Sequence, residues 1–163
     1  MCLLCDFCFC GYQNCFCNDN DNDNDNDIRN IELKYADDNI PLFSLQKKVF
    51  KAKIVRVYDG DTCFAVFYLN DTLVKFKIRM EGYDTPELKP RLNIENRLDE
   101  IEKANKAKQE LEKLIFNQIV FLHCGGWDKY GRLLATIYTQ TKINVNQYMI
   151  DLHFGKEYYG GKK

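Results

Sequence analysis

Residues 49–80, VFKAKIVRVYDGDTCFAVFYLNDTLVKFKIRM, decide the fold of this chain. Three runs rich in β-branched and aromatic residues lie at 49–57, 62–69 and 73–80. The pairs Asp59-Gly60 and Asn70-Asp71 separate these runs. Such pairs are typical of tight turns between antiparallel strands. The stretch therefore predicts a meander of three strands.

The sequence beyond the meander predicts two helices and two further strands. Between residues 94 and 117, apolar residues recur at spacings of three and four while Glu and Lys occupy the other face, which indicates a long amphipathic helix. Its apolar positions are Ile94, Leu98, Ile101, Ala104, Ala107, Leu111, Leu114 and Ile115. Residues 119–124 and 133–139 are typical of strands, and residues 144–154 of a short helix.

This order of elements favours one architecture. Five strands with a long helix between the third and fourth, followed by a short C-terminal helix, predict an α+β fold built on a five-stranded OB-type β-barrel. An open α+β sheet would give the same order of elements. The pattern alone leaves both arrangements open.

Length and charge suit a single globular domain whose partner is an anion. The chain has 163 residues and 45% apolar residues. Six of its 24 acidic residues lie in the first 27 positions, which hold no Lys or Arg, so residues 28–163 carry 18 acids and 23 bases. This positive excess fits a partner made of phosphates, because neutralising phosphates releases their counterions. An ordinary soluble surface is the alternative.

Composition divides the chain into three parts. Residues 1–17 contain six of the eight cysteines, and residues 18–27 are a strict Asn-Asp repeat. Such a repeat repels itself and has no apolar surface to bury. We therefore expect a Cys-rich terminal segment at 1–17, an acidic disordered spacer and lead-in at 18–43, and a folded domain at 44–163.

Three interpretations of the terminal cysteines stay open. Cysteines clustered with Leu and Phe at a terminus are typical of an S-acylated membrane anchor. The spacing of Cys2 and Cys5 could instead begin a zinc site, although no His is nearby. A weakly structured tail is the third interpretation. No Gly follows Met1, which excludes N-myristoylation.

The other cysteines and the N-terminal charges favour an intracellular location. Cys63 and Cys124 stand singly in predicted strands and are typical of small buried hydrophobes. Asp6 interrupts the apolar N-terminal residues and no basic segment precedes them, which argues against a secretory signal. We expect an intracellular protein that is not classically secreted, held at a membrane if the terminal cysteines are acylated.

Three short motifs at predicted strand ends or turns contain the residues suited to catalysis. They are Asp59-Gly60-Asp61-Thr62, Arg79-Met80-Glu81-Gly82-Tyr83-Asp84-Thr85-Pro86-Glu87 and Asp128-Lys129-Tyr130-Gly131-Arg132. Carboxylates on turns supply the oxygen ligands that hard divalent cations prefer. Guanidinium groups clamp phosphate oxygens with paired donors. Taken singly, the motifs are also typical of an Asp-Gly turn, a helix entry and a solvated hairpin.

Together these motifs resemble the staphylococcal nuclease (thermonuclease) family in identity, order and spacing. The resemblance extends from about Val49 to Tyr159 and includes the long helix and a late Asn-x-x-Met-Ile helix. It implies an OB-fold and a Ca²⁺-dependent nuclease that hydrolyses phosphodiester bonds of DNA, RNA or both, with little sequence specificity. We expect a monomer whose partner is nucleic acid.

The resemblance also implies a set of metal ligands. Asp61 and Asp84 would bind Ca²⁺ through their carboxylates, and Thr85 would bind it through its backbone carbonyl. Asp59 would support this loop without binding the ion itself. A bound divalent cation would polarise a phosphoryl oxygen and help to generate the nucleophile.

Catalytic and substrate-binding residues follow from the same resemblance. Glu87 would act as general base on the attacking water. Arg79 and Arg132 would stabilise negative charge on the pentacoordinate transition state. The residues that would contact the nucleotide are Lys129, Tyr130 and Tyr159.

The alternative function is a nucleic-acid-binding or scaffold module with weak catalysis, as in the Tudor staphylococcal-nuclease proteins. Loss of Arg79, Glu87 or Arg132 would favour that alternative. All three residues are present.

Overall fold

The computed structural model describes residues 33–93 and 95–160. Residues 44–160 belong to one compact unit, and residues 33–43 belong to a separate one. The Cys-rich segment, the Asn-Asp repeat and Ile94 lie outside the described residues, so the predictions made for them stay predictions. No helix among the described residues is both long and apolar enough to cross a membrane.

Five strands close a barrel, and two short strands form a separate sheet. The strands are β1 (Val49–Val57), β2 (Thr62–Leu69), β3 (Thr72–Met80), β4 (Tyr83–Asp84), β5 (Ile119–Trp127), β6 (Leu133–Tyr138) and β7 (Lys156–Glu157); the helices are α1 (Arg97–Ile115) and α2 (Val145–Asp151). The barrel order is β1-β2-β3-β6-β5, and β4 pairs with β7. Only β3 and β6 pair in parallel among the barrel strands. The predicted five-stranded barrel is confirmed, with α1 between its third and fourth strands.

Two local devices shape the barrel strands. Asn70 and Asp71 both have positive φ, 46° and 63°, as the tight turn between β2 and β3 requires. Strand β1 pairs with β5 through its first half and with β2 through its second half, and a bulge between Ile54 and Arg56 places an extra residue in the second half. Such a bulge bends and twists a strand, which helps the sheet to close.

Helix α1 covers the barrel with one narrow apolar stripe. Its buried residues are Ala104, Ala107, Leu111 and Ile115. Leu98, predicted on the same face, is 78% exposed. The reason is geometric: at 3.6 residues per turn, Leu98 lies about 140° around the helix from Leu111. Residues selected by spacings of three and four therefore lie progressively further from the buried stripe towards the N-terminal end of the helix.

Helix α2 is tied to the barrel by the buried side chain of Asn146. Its Oδ1 accepts a hydrogen bond from the backbone N–H of Ile137 at 2.9 Å. Its Nδ2 donates to the carbonyls of Glu81 at 2.8 Å and Ala135 at 3.1 Å. One amide thus joins α2, β6 and the residue that follows β3.

We predict that Asn146→Ala lowers the free energy of unfolding by about 2–4 kcal/mol, because it leaves the buried N–H of Ile137 and the carbonyl of Glu81 without this partner. Urea unfolding followed by circular dichroism measures the change. The matched control is Gln147→Ala, since the neighbouring side chain bonds only to the exposed Asp151. Equal stability of the two variants would contradict the structural role of Asn146.

Candidate active site

The carboxylate of Asp61 lies at the centre of the candidate site and is only 6% exposed. Its Oδ2 accepts hydrogen bonds from the backbone N–H of Thr85 at 3.0 Å and from the Thr85 hydroxyl at 3.1 Å. Its Oδ1 accepts a bond from the hydroxyl of Thr62 at 3.0 Å. These bonds satisfy a buried anion, which is costly to leave unpaired.

Arg79, at the end of β3, brings the two predicted carboxylate ligands together. Its Nη2 lies 3.0 Å from Asp84 Oδ1 and 3.3 Å from Asp61 Oδ2. Its Nη1 donates to the carbonyl of Met80 at 2.7 Å. The side chain is 8% exposed and is held in one orientation by three groups. Asp61 and Asp84 therefore converge on a single guanidinium nitrogen.

The turn between β1 and β2 packs tightly against the segment that contains Thr85. The buried hydroxyl of Tyr83 donates to the carbonyl of Gly60 at 2.9 Å. Burial raises the pKa of this phenol, which keeps it a neutral donor. A Cβ at Gly60 would lie 2.8 Å from both the Ala107 Cβ and the Thr85 Cγ2. Only glycine fits between the site and α1.

The strand pair β4 and β7 positions Asp84. Tyr83 and Asp84 pair with Glu157 and Lys156. The backbone N–H of Tyr158 donates to the carbonyl of Gly82 at 2.9 Å. The segment after α2 thus braces the segment that carries the second carboxylate. Strands of two residues have too little periodicity to be predicted from sequence.

Asp128 organises the loop between β5 and β6 and orients Arg132. Its Oδ1 accepts from the backbone N–H groups of Tyr130 and Arg132, both at 2.9 Å, and its Oδ2 accepts from Arg132 Nε at 2.6 Å. Although burial raises the pKa of the Asp128 carboxyl, the bonds from Arg132 and Tyr130 lower it overall, so the carboxylate stays charged. Arg132 Nη1 also reaches the Thr62 hydroxyl at 3.4 Å.

Negative charge is concentrated at the centre of the site. Asp59 Oδ1 accepts from the backbone N–H of Asp61 at 3.1 Å. Burial, and after it the charge of Asp61, raises the pKa of the Asp59 carboxyl to about 6. Two carboxylates, those of Asp61 and Asp84, thus contact one buried guanidinium, and a third, that of Asp59, lines the same cleft. Within the described part of the chain, no group of three or more His, Cys, Asp or Glu residues is arranged to hold a metal ion.

A cleft of about 940 Å³ gathers nearly all of the predicted site residues. Its walls include Asp61, Arg79, Asp84, Thr85, Glu87, Lys129, Tyr130 and Arg132. Tyr159 is the exception: its ring lies over Gly82 and is 82% exposed. The preceding residue, Tyr158, lines the cleft.

Several residues at the site had no role in the sequence-based prediction. Thr62 joins Asp61 to Arg132, and Asp128 orients Arg132. Both stand inside the motifs, and an Asp four residues before an Arg is a recognisable signal for an ion pair. Arg56 and Tyr58 also line the cleft. Their position depends on the bulge in β1, which leaves no clear mark in the sequence.

We predict that Gly60→Ala lowers the free energy of unfolding by about 1–3 kcal/mol, because the added methyl collides with Thr85 and Ala107. Gly126→Ala is the matched control, since a Cβ there meets nothing within 4 Å. Urea denaturation of both variants measures the difference. A Gly60→Ala protein as stable as its control would show that the turn does not pack against α1 as described.

Comparison with known proteins finds a matching family and several relatives. The family described as staphylococcal nuclease homologue matches residues 77–158, which include the end of β3, both helices and the loop of Arg132. An uncharacterized protein of Methanocaldococcus jannaschii is 32% identical over 127 residues, covering 67% of this chain and 59% of its own length.

Two bacterial relatives carry a functional name. A protein of Escherichia coli named an uncharacterized endonuclease is 28% identical over 98 residues, covering 60% of this chain and 54% of its own. One of the same name from Haemophilus influenzae is 30% identical over 98 residues, covering 60% of this chain and 47% of its own. The chain spans about half the length of the curated relatives it matches. By its family match, its motifs and its barrel, the chain belongs to the family of staphylococcal nuclease homologues.

Proposed function

We propose that this chain is a metal-dependent nuclease that hydrolyses phosphodiester bonds in DNA, RNA or both with little sequence specificity. The observation that supports it most is the convergence of Asp61 and Asp84 on Arg79 in a cleft that Glu87 and Arg132 also line. The names of the Escherichia coli and Haemophilus influenzae relatives agree with this proposal. Cleavage of plasmid DNA and of RNA, with and without divalent cations, tests it.

The donor set of the site fits a hard divalent cation, and we propose Ca²⁺. Asp61 and Asp84 offer carboxylate oxygens that both lie against Arg79 Nη2, and Thr85 offers a backbone carbonyl. Oxygen donors of this kind suit Ca²⁺, which takes six to eight such ligands and fills the remainder with water. The local excess of carboxylates over guanidinium groups also favours a bound cation. When bound, the ion would polarise a phosphoryl oxygen and acidify a water.

The arginines would supply positive charge where the transition state becomes negative. A guanidinium has five N–H donors, and Met80, Asp61 and Asp84 engage only part of this set in Arg79. Arg132 is fixed by Asp128 through Nε and directs Nη1 towards Thr62. Because both side chains are oriented before substrate binds, they pay little reorganisation energy during reaction.

Proton transfer and substrate contact would fall to groups on the cleft wall. Glu87 is exposed and lines the cleft, so its carboxylate can accept the proton of an attacking water. Tyr130 is 71% exposed and has the Lys129 amino group 4.9 Å and the Arg132 guanidinium 5.6 Å from its ring centre. A base could stack on this ring while the cations contact its phosphates. The alternative of a noncatalytic binding module has no comparable support, because Arg79, Glu87 and Arg132 all line the cleft.

We predict that removal of divalent cations with a chelator abolishes cleavage and that added Ca²⁺ restores it. Asp61→Ala is expected to remove the activity at every Ca²⁺ concentration and to lower the free energy of unfolding, because Thr85 and Arg79 lose a partner, without unfolding the barrel. Nuclease activity and circular dichroism are measured in parallel. Full cleavage in excess chelator would refute the metal assignment.

We predict that Arg79→Lys reduces kcat by about 10²–10³-fold, because lysine keeps the charge but loses the paired donors of a preorganised guanidinium. Arg97→Lys is the control, since the Nε of Arg97 donates to the carbonyl of Pro90 at 3.3 Å and Arg97 is not among the residues that line the cleft. Turnover is measured on single-stranded and double-stranded substrates. A lysine variant with normal kcat would place Arg79 outside the reaction.

A further inference from the structure

The outer face of the β1–β3 sheet continues directly from the buried arginine of the site. Side chains on a strand alternate between faces. In β3, Ile78 and Met80 point into the core, so Arg79 stands on the outer face with Lys77 and Lys75. Each step of two residues covers about 7 Å. Cations therefore follow one another along β3, beginning at the cleft.

Strand pairing places further cations and aromatic rings beside this row. Lys77 lies opposite Phe64, and Lys75 lies opposite Val66. On the other side of β2, Arg56 lies opposite Phe64 and Lys53 lies opposite Val66. The face thus forms two successive cross-strand rows, each with a cation at both ends and an apolar residue between them.

Tyr58 connects these rows with the cleft. Its ring is 44% exposed and lines the cleft together with Arg56. The Lys77 amino group lies 4.9 Å from its ring centre, and the Arg56 guanidinium lies 5.9 Å from it. The same guanidinium lies 5.4 Å from the centre of the Phe64 ring. Aromatic rings beside cations are suited to stacked bases and their phosphates.

Apart from Arg79, which is paired with Asp61 and Asp84, the cations of this face form no ion pair within the described residues. Strands β1, β2 and β3 contain six Lys or Arg residues and no Asp or Glu. Within the described residues, neither Arg56 nor the lysines of β3 form an ion pair. Four lysines of α1 differ, since each is paired with a glutamate: Lys103, Lys106, Lys108 and Lys113. The cations of the sheet face are therefore available to an anionic ligand, whereas the charges of these helix lysines are neutralised.

We infer that this face, formed by Arg56, Tyr58, Phe64, Lys75 and Lys77, is a track for a single-stranded segment of nucleic acid next to the bond that is cut. The inference rests on the proposed nuclease function and extends it by several nucleotides. A sheet surface with spaced cations and partly exposed rings suits an unpaired strand, whose bases are free to stack on side chains. The strand would leave the cleft past Tyr58 and cross β2 and β3.

The test measures binding of single-stranded DNA and RNA oligonucleotides of two to ten nucleotides by fluorescence anisotropy, in chelator so that no strand is cut. Wild-type affinity is expected to rise with length. Lys75→Gln/Lys77→Gln is expected to weaken binding of the long oligonucleotides by about 25-fold at 0.1 M salt and to reduce the salt slope by about 1.4, as the loss of two phosphate contacts requires. Binding of dinucleotides is expected to stay the same.

Stacking is tested separately by Tyr58→Leu. This change is expected to weaken binding by about tenfold while leaving the salt slope intact, because no charge is removed. Equal salt slopes for the wild type and the double lysine variant would overturn the inference.

The matched control is Lys103→Gln/Lys106→Gln, which removes two cations beside a neighbouring cavity that shares Asp84 and Glu87 with the cleft. It is expected to bind like the wild type. If the affinity of this α1 variant no longer rises with oligonucleotide length while that of the β3 lysine variant still does, the strand leaves along α1 and the inference is wrong. Hydrolysis of a chromogenic mononucleotide diester reports the proposed function independently. Wild-type protein that binds long strands but cleaves neither that ester nor polymeric DNA or RNA would refute the nuclease, whereas the lysine variants decide whether the sheet face binds the strand.

Discussion

The buried carboxylate of Asp61 is the constraint on which the rest of the structure depends. A carboxylate at 6% exposure must be paired, and its partners come from three parts of the chain: Thr62 beside it, Arg79 at the end of β3 and Thr85 after β4. Satisfying one anion therefore fixes the relative positions of three segments. The same bonds hold Asp61 close to Asp84. The interactions that stabilise the fold therefore also assemble the candidate metal site.

The barrel makes this arrangement rigid by presenting the site at strand ends. The Gly60 turn leaves β1 and enters β2, Arg79 ends β3, and Arg132 directly precedes β6. These strands are hydrogen-bonded neighbours, so their ends meet without long connections. Side chains that start from rigid elements and are held by hydrogen bonds lose little entropy when substrate binds. In the loop between β5 and β6, the single carboxylate of Asp128 likewise has two roles: it closes the turn and orients Arg132.

Much of this could be predicted from local sequence, and the failures have physical causes. The meander was evident because alternation and the Asn70-Asp71 turn agree, and the barrel strands confirm it. Leu98 was misplaced because a spacing rule does not track rotation around a helix. Strands β4 and β7 were missed because two residues show no period. The motifs named the residues of the site, but the link from Asp61 through Thr62 to Arg132 is a tertiary contact between residues 70 positions apart.

The alternation of side chains along β3 also relates the candidate site to the surface around it. Arg79 must point outwards because Ile78 and Met80 fill the core, and the same parity carries Lys77 and Lys75 onto the same face. The core therefore determines that a row of cations begins at the candidate cleft. Carboxylates are concentrated at the centre of the cleft, whereas uncompensated cations lie along the sheet. The centre of the cleft therefore favours a cation, and the sheet favours a chain of phosphates. A polyanion is thus attracted to the sheet and repelled from the carboxylates until a bound cation reverses their charge. Metal binding and substrate binding are therefore expected to reinforce each other at this end of the barrel.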